Sequence, residues 1–275
     1  IQSNILKKES NFIELSNAKR IWAIGSIHSN YDSFKSIKKH ILLNFKSKDK
    51  LVILGNVIGL GNKAKETLTS IIDLRFKLMA NHNLDPKDVI FLRGAQEEMF
   101  LKLMQLQIAP NPQEIVEWMF EHGVDKTIES YGFSKDEAKN ISSQGTLSIS
   151  KWTIRINSVV TSFPGHQEYF YNLKHAAFTN TKKILFVNRG VDVSRPLSAQ
   201  NDCFWWGYQN FSKINQPYGT YIRIVRGYES QHSNSIENIK NSVVCTLFKQ
   251  PLSYNKILCG LFNHDGEIID VFESQ

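Results

Sequence analysis

Short continuous apolar runs alternate along the first third of the chain with longer stretches in which apolar residues recur every third or fourth position. "IWAI" at 21–24, "LVILG" at 51–55 and "DVIFLRG" at 88–94 read as buried strands. Tyr31 to Phe45 sets Phe34, Ile37, Ile41, Leu42 and Phe45 on one helical face, and Lys63 to Asn81 does the same with Leu68, Ile71, Ile72, Arg75 and Leu78. A third helical stretch runs from Gln96 to Gln107. This order predicts a parallel sheet with covered faces.

The middle of the chain reads as a helical cap over about 111–173. Pro112 suits a first helical turn in a helix through about His122, and Ser134 with Glu137 fits a capping box after a short helix at Thr127 to Tyr131. From "KILFVNRG" at 183–190 strands dominate: "TYIRIVRG" at 220–227, "NSVVCTLF" at 241–248, "KILCGLF" at 256–262 and "EIIDVFE" at 267–273. Asp265-Gly266 between the last two marks a hairpin. Residues 1–19 are polar and weakly periodic and read as an arm, leaving 20–275 as one domain. The fold class is α/β: mixed sheets packed face to face, flanked by helices.

Composition adds limits. The chain has 275 residues, 41% of them apolar, and contains no run near the ~20 apolar residues that span a bilayer. Cys203, Cys245 and Cys259 are far apart and follow no metal-binding spacing, which points to a reducing compartment. The opening "IQSNILKKES" lacks the apolar core of a secretory signal, so the expected place is the cytoplasm or the matrix of a mitochondrion-like organelle. The net charge of +7 is spread over short Lys pairs rather than one block, the pattern of a solvated basic surface.

Four strand ends carry chemistry by position. "AIGSIHSNYDSF", "LVILGNVIGLGNKAKETL", "VIFLRGAQEEMFL" and "ILFVNRGVDVSRPLSAQNDCFWWG" resemble, in order and spacing, the motifs of the calcineurin-like metallophosphatase superfamily, in particular its bacterial serine/threonine phosphatase-type branch. The resemblance covers roughly residues 20–275 and implies that family's fold. It also implies a pair of divalent metals held by carboxylates, an amide and imidazoles, with a bridging water as nucleophile.

The residues at those positions are different ones. Matched motif to motif, the six ligand positions hold Ser26, His28, Asn56, Ala95, Asn188 and Tyr228, and His28 alone is a ligand type that the family uses there. Two dications ~3.5–4 Å apart need anionic ligands to offset their repulsion. Ser26 and Asn56 supply no charge. The general-acid histidine is replaced by Gln96, its orienting aspartate by Gly59 and the phosphate-clamping arginine by Leu60. Gln96 cannot act as an acid, Gly59 orients nothing through a side chain, and Leu60 carries no charge. No cofactor is expected.

The remaining candidates are weaker. His28 reads as a turn histidine bonded to backbone or water, and Asp192, Asp202 and His166 as surface or capping groups. Arg93, Arg189 and Arg226 form a candidate anion site beside positions matched to ligands; the other reading is that Arg93 braces the loop beneath the sheet and that Arg189 and Arg226 pair with local acids such as Glu97, Glu98 or Glu229 or point to solvent. Phe204, Trp205, Trp206, Tyr208 and Phe211 read as core or half-exposed rim, and Trp118, Met119 and Phe120 as packing residues. The expected function is that of a pseudophosphatase: a structural or protein-interaction subunit of a larger assembly. The alternatives are a phosphate or nucleotide sensor using the three arginines, residual phosphoesterase activity, or RNA or acidic-surface binding through the dispersed charge.

Overall fold

Alternation along each strand decides the layers. The computed structural model describes residues 11–200, 202–208, 211–229, 243–249 and 256–275. In β2 (Arg20–Ile24), Ile21 and Ala23 point one way and Trp22 and Ile24 the other, and both sets are buried, so the strand is covered on both faces. The same holds in β3 (Asp49–Ile53) and β4 (Val89–Phe91). These three run parallel, with β9 (Leu258–Asn263) antiparallel to β2 and β10 (Ile268–Glu273) antiparallel to β9, giving a mixed sheet in the order β10-β9-β2-β3-β4.

A second mixed sheet has the order β1-β5-β6-β7-β8, formed by β1 (Phe12–Leu15), β5 (Ala176–Thr179), β6 (Ile184–Val187), β7 (Arg223–Arg226) and β8 (Val244–Thr246). Ile21, Val52 and Ile90 of the first sheet meet Ile184, Phe186 and Val225 of the second in a shared apolar layer. Helices α1 (Tyr31–Asn44), α2 (Ala64–His82) and α3 (Ala95–Leu103) cover the outer face of the first sheet. With them pack the helices of the middle: α4 (Pro112–Glu121), α5 (Val124–Ser130), α6 (Lys135–Ser142), α7 (Thr146–Thr161) and α8 (His166–Tyr171). Phe204, Trp205 and Phe211, two of them from α9 (Cys203–Trp206), cover the outer face of the second sheet. No helix among the described residues is long and apolar enough to cross a membrane.

The mixed α/β class, the face-to-face sheets and the helical middle agree with the sequence pattern. The arm does not end where the pattern begins: Phe12–Leu15 is an edge strand pairing parallel with Ala176–Thr179, and Leu15 is buried. Residues 1–10 of that arm, and 241–242 of the predicted strand at 241–248, lie outside the described residues. Ser134 caps α6 by accepting from the amides of Asp136 and Glu137, but Glu137 turns away to pair with Arg155 at 2.9 Å, so the reciprocal half of the box gives way to an ion pair. Trp118 is a second correction. It is 43% exposed and stacks on His122, because Val116, Met119 and Phe120 take the inward face of α4.

Candidate functional site: the strand-end cluster

Parallel strands deliver their carboxyl ends to one edge of each sheet, where open α/β folds gather functional groups. Here the turns after β2, β3, β4, β6 and β7 converge. The Ser26 amide donates to the Gly227 carbonyl (2.9 Å), the Gly227 amide to the Asn188 carbonyl (2.8 Å), and Asn188 Nδ2 to the Leu54 carbonyl (2.6 Å). The two sheets are thereby joined at the ends of their strands.

At the positions matched to ligands, the side chains of Ser26 and Asn56 bond to each other and that of Asn188 bonds to backbone. Asn56 Nδ2 donates to Ser26 Oγ (3.2 Å), and Asn56 Oδ1 accepts from the Gln96 amide (3.1 Å). Both ends of the Asn56 amide are therefore used, and Ser26, Asn56, Gln96 and Asn188 are all buried. Gly94 is required by this arrangement, since a Cβ there would collide with Asn56 Oδ1 and its backbone nitrogen. Ala95 opens α3 and packs toward the aromatic layer.

Gln96 and Gly59 form an interlocked pair. Gly59 has φ +85°, a region that favours glycine, and a Cβ on it would run into the Gln96 side-chain amide. Gln96 Nε2 reaches over to the His122 carbonyl at the end of α4 (2.8 Å). Leu60 is 38% exposed, packs on Gly123 and donates its amide to the Gly123 carbonyl (3.3 Å). The side chain where the family has an acid thus fills the space beside the position where it has an orienting carboxylate.

His28 is buried, and neither ring nitrogen has a hydrogen-bond partner among the described residues. Its ring lies edge-on to Tyr228 (5.4 Å) and Phe248 (6.1 Å), an apolar setting that pushes its pKa down to about 4 by desolvation. It is a neutral imidazole there. Tyr228 is half-buried, with the Arg189 guanidinium over its ring at 5.4 Å.

Arg93 and Arg226 are neutralised within the chain. Arg93 pairs with Glu98 (3.0 Å) and lies over Trp205. Arg226 pairs with Glu229 (2.5 Å), donates Nε to Thr246 Oγ1 (2.8 Å) and stacks on Phe211. Arg189 runs along Gly207 and Tyr228. Of the alternatives read from the sequence, pairing with a local acid is the one found for Arg226, and Arg93 is tied to Glu98.

Glu97 has a role that sequence reasoning missed. It is fully buried and accepts from the amides of Asn56 and Val57 (2.8 Å each), Ile58 (3.4 Å) and Gly94 (3.0 Å), and from Tyr169 Oη (3.1 Å). Burial raises its pKa, offset in part by the amides of Asn56, Val57, Gly94 and Glu97 itself. The clue was its place in the "RGAQEE" motif, one residue after Gln96. His166 is a further correction. It is neither surface nor cap: it is fully buried, with Tyr131 Oη 2.6 Å from Nδ1 and Thr69 Oγ1 2.9 Å from Nε2. Thr69 Oγ1 donates to the Lys65 carbonyl, so it accepts from Nε2–H, and Nδ1 accepts from Tyr131. Asp192 caps the backbone and hydroxyl of Ser194, and Asp202 is exposed.

The donor set does not fit a metal pair. Among the described residues no three His, Cys, Asp or Glu side chains are grouped to hold a metal ion. Where the resemblance implies the two anionic ligands stand a hydroxyl and an amide, Ser26 and Asn56, which bond to each other.

No family model and no curated protein matches the sequence. Solved structures do match. The chain is similar to a putative diadenosine tetraphosphatase, with a TM-score of 0.55 at 14% identity over 96% of this chain and 98% of that one. It is similar to a protein serine/threonine phosphatase from Saccharomyces cerevisiae, with a TM-score of 0.52 at 15% identity over 100% and 87%. A cold-active protein-tyrosine phosphatase of a psychrophilic Shewanella gives 0.50 at 13% identity over 96% and 82%. At these identities the likeness is one of fold, and the fold is the metallophosphatase fold that the order of motifs implied.

Proposed function

We propose that this chain uses the metallophosphatase framework as a structural or protein-interaction subunit of a larger assembly and does not hydrolyse phosphoesters. The observation that carries the reading is the internal bonding of the strand-end cluster. Ser26 and Asn56 bond to each other, Asn56 Oδ1 accepts from the Gln96 amide, and Gln96 Nε2 and Asn188 Nδ2 donate to backbone carbonyls. Gln96 also fills the volume beside Gly59. A hydrolytic site needs those atoms turned toward a metal, a water or a phosphate. The apolar residues of both sheets beneath them are buried, which supports a role that depends on shape and surface. The pairing of Arg93 and Arg226 with Glu98 and Glu229 does not favour the anion-sensor alternative.

The test has two halves. The purified chain is expected to carry no stoichiometric transition metal by elemental analysis and to show no turnover of an aryl phosphate in added Mn²⁺. Turnover abolished by a chelator would overturn the loss of hydrolysis. In native extracts of its source the chain is expected to migrate in a complex well above its 31.6 kDa. Migration as a monomer under conditions that preserve assemblies would overturn the subunit role.

A further inference from the structure

A trough of two joined lobes is lined by none of the residues at the matched motif positions and meets the strand-end cluster only through Tyr169, whose hydroxyl donates to Glu97. The first lobe, about 340 Å³, lies between α2 and α8, with Ile72, Phe76, Met79 and Tyr169 among its walls. The second, about 240 Å³, runs along the edge of β4, with Ile13, Val89 and Ile90 supplying apolar surface and Lys87 and Lys174 supplying charge. Arg75, Pro86, Phe91 and Asn172 line both lobes and so mark the junction. Phe76 is 60% exposed at the rim.

The charge at the junction is informative. Arg75 lies over the Phe91 ring (5.4 Å) and donates Nη2 to the Pro86 carbonyl (3.0 Å). Among the described residues it has no carboxylate partner, unlike Arg20, Arg93, Arg155, Arg195 and Arg226. The carboxylate that lines the trough, Glu168, lines the first lobe and not the junction. A half-buried guanidinium between two apolar hollows matches an anion held between two apolar groups. A fatty acid carries its charge at one end. An extended peptide can place it in the middle, because alternate side chains share one face about 7 Å apart.

We propose that this trough docks an extended acidic–apolar segment of a partner protein, with large apolar side chains at positions i and i+4 and a carboxylate at i+2 facing Arg75. This deepens the subunit reading by naming the partner's chemistry and rests on it for function, but its test is separate. Failure here leaves the metal, turnover and migration results standing, and their failure leaves the groove standing.

The probe is a fluorescein-labelled Ser-Leu-Ser-Glu-Ser-Leu-Ser peptide titrated with the full chain and followed by anisotropy. Saturable binding is expected, weakened about tenfold when the peptide's Glu is replaced by Gln or Lys, or both its Leu by Ser. Arg75→Gln should weaken the Glu peptide about tenfold and shift the Gln peptide less than about twofold, a coupling that general destabilisation would not give. Phe76→Ser, at an exposed side chain, should weaken both peptides and leave the thermal melt unchanged. Absence of saturation by about 1 mM, or equal binding of the Glu and Lys peptides, would overturn the proposal. So would Arg75-dependent binding of dodecanoate tighter than that of the peptide, which would reassign the trough to a fatty acid.

Discussion

His28, after β2, and His166, at the start of α8, are both withdrawn from water, and burial pushes both imidazoles down to about 4. Their surroundings differ in kind. His166 is bonded at both nitrogens, to Tyr131 and Thr69, and so ties α2, the end of α5 and α8 together. His28 is bonded at neither and lies among aromatic rings. The helical middle is built around its histidine. The strand-end turn holds its histidine by packing against the rings of Tyr228 and Phe248.

The largest effect that sharpens this contrast belongs to His166. His166→Ala opens a cavity and leaves the buried Tyr131 hydroxyl unpaired, and should cost about 3 kcal/mol or more in urea denaturation. His28→Asn at pH 7 should stay within about 1 kcal/mol, because it removes no hydrogen bond and Asn tolerates the positive φ of 49° at that position. Equal costs for the two would break the comparison.

Gly59→Asp comes next. It forces a side chain into the space of Gln96 and should cost about 2 kcal/mol, of which roughly half returns when Gln96→Ala is added. Additive costs would mean that the two positions do not interlock.

The smallest effect is a pH dependence. The folded pKa of His28 lies below its unfolded value of 6.5, so the unfolded chain takes up the proton first and stability falls as pH drops from about 6.5 toward 4. At pH 5 the share due to His28 is about 2 kcal/mol. His28→Asn should shrink the pH 7 to pH 5 loss by that amount, and an unchanged loss would show that the ring is solvated.

The frame of the fold was legible because its strands are continuous apolar runs and α1 and α2 carry one clean apolar face each. β1 and β5 were not, since four-residue strands next to polar sequence give too short a period to separate from loop. At the site, the uncharged types of Ser26, Asn56 and Asn188 are read directly from the sequence. The Gln96–Gly59 interlock and the role of His166 were hidden, because the partners lie 37 and 97 residues apart and meet only in space. Arg226 was half legible: its acid, Glu229, stands three residues on, but the choice between pairing and an open charge is made by packing against Phe211 and Thr246.

The closure of the two sheets at their strand ends has one more consequence. Ser26 to Gly227, Gly227 to Asn188 and Asn188 to Leu54 are links between atoms of the chain itself. The junction is therefore complete as soon as the polypeptide has folded. Each sheet thereby holds the other's strand ends in place through backbone and amide groups.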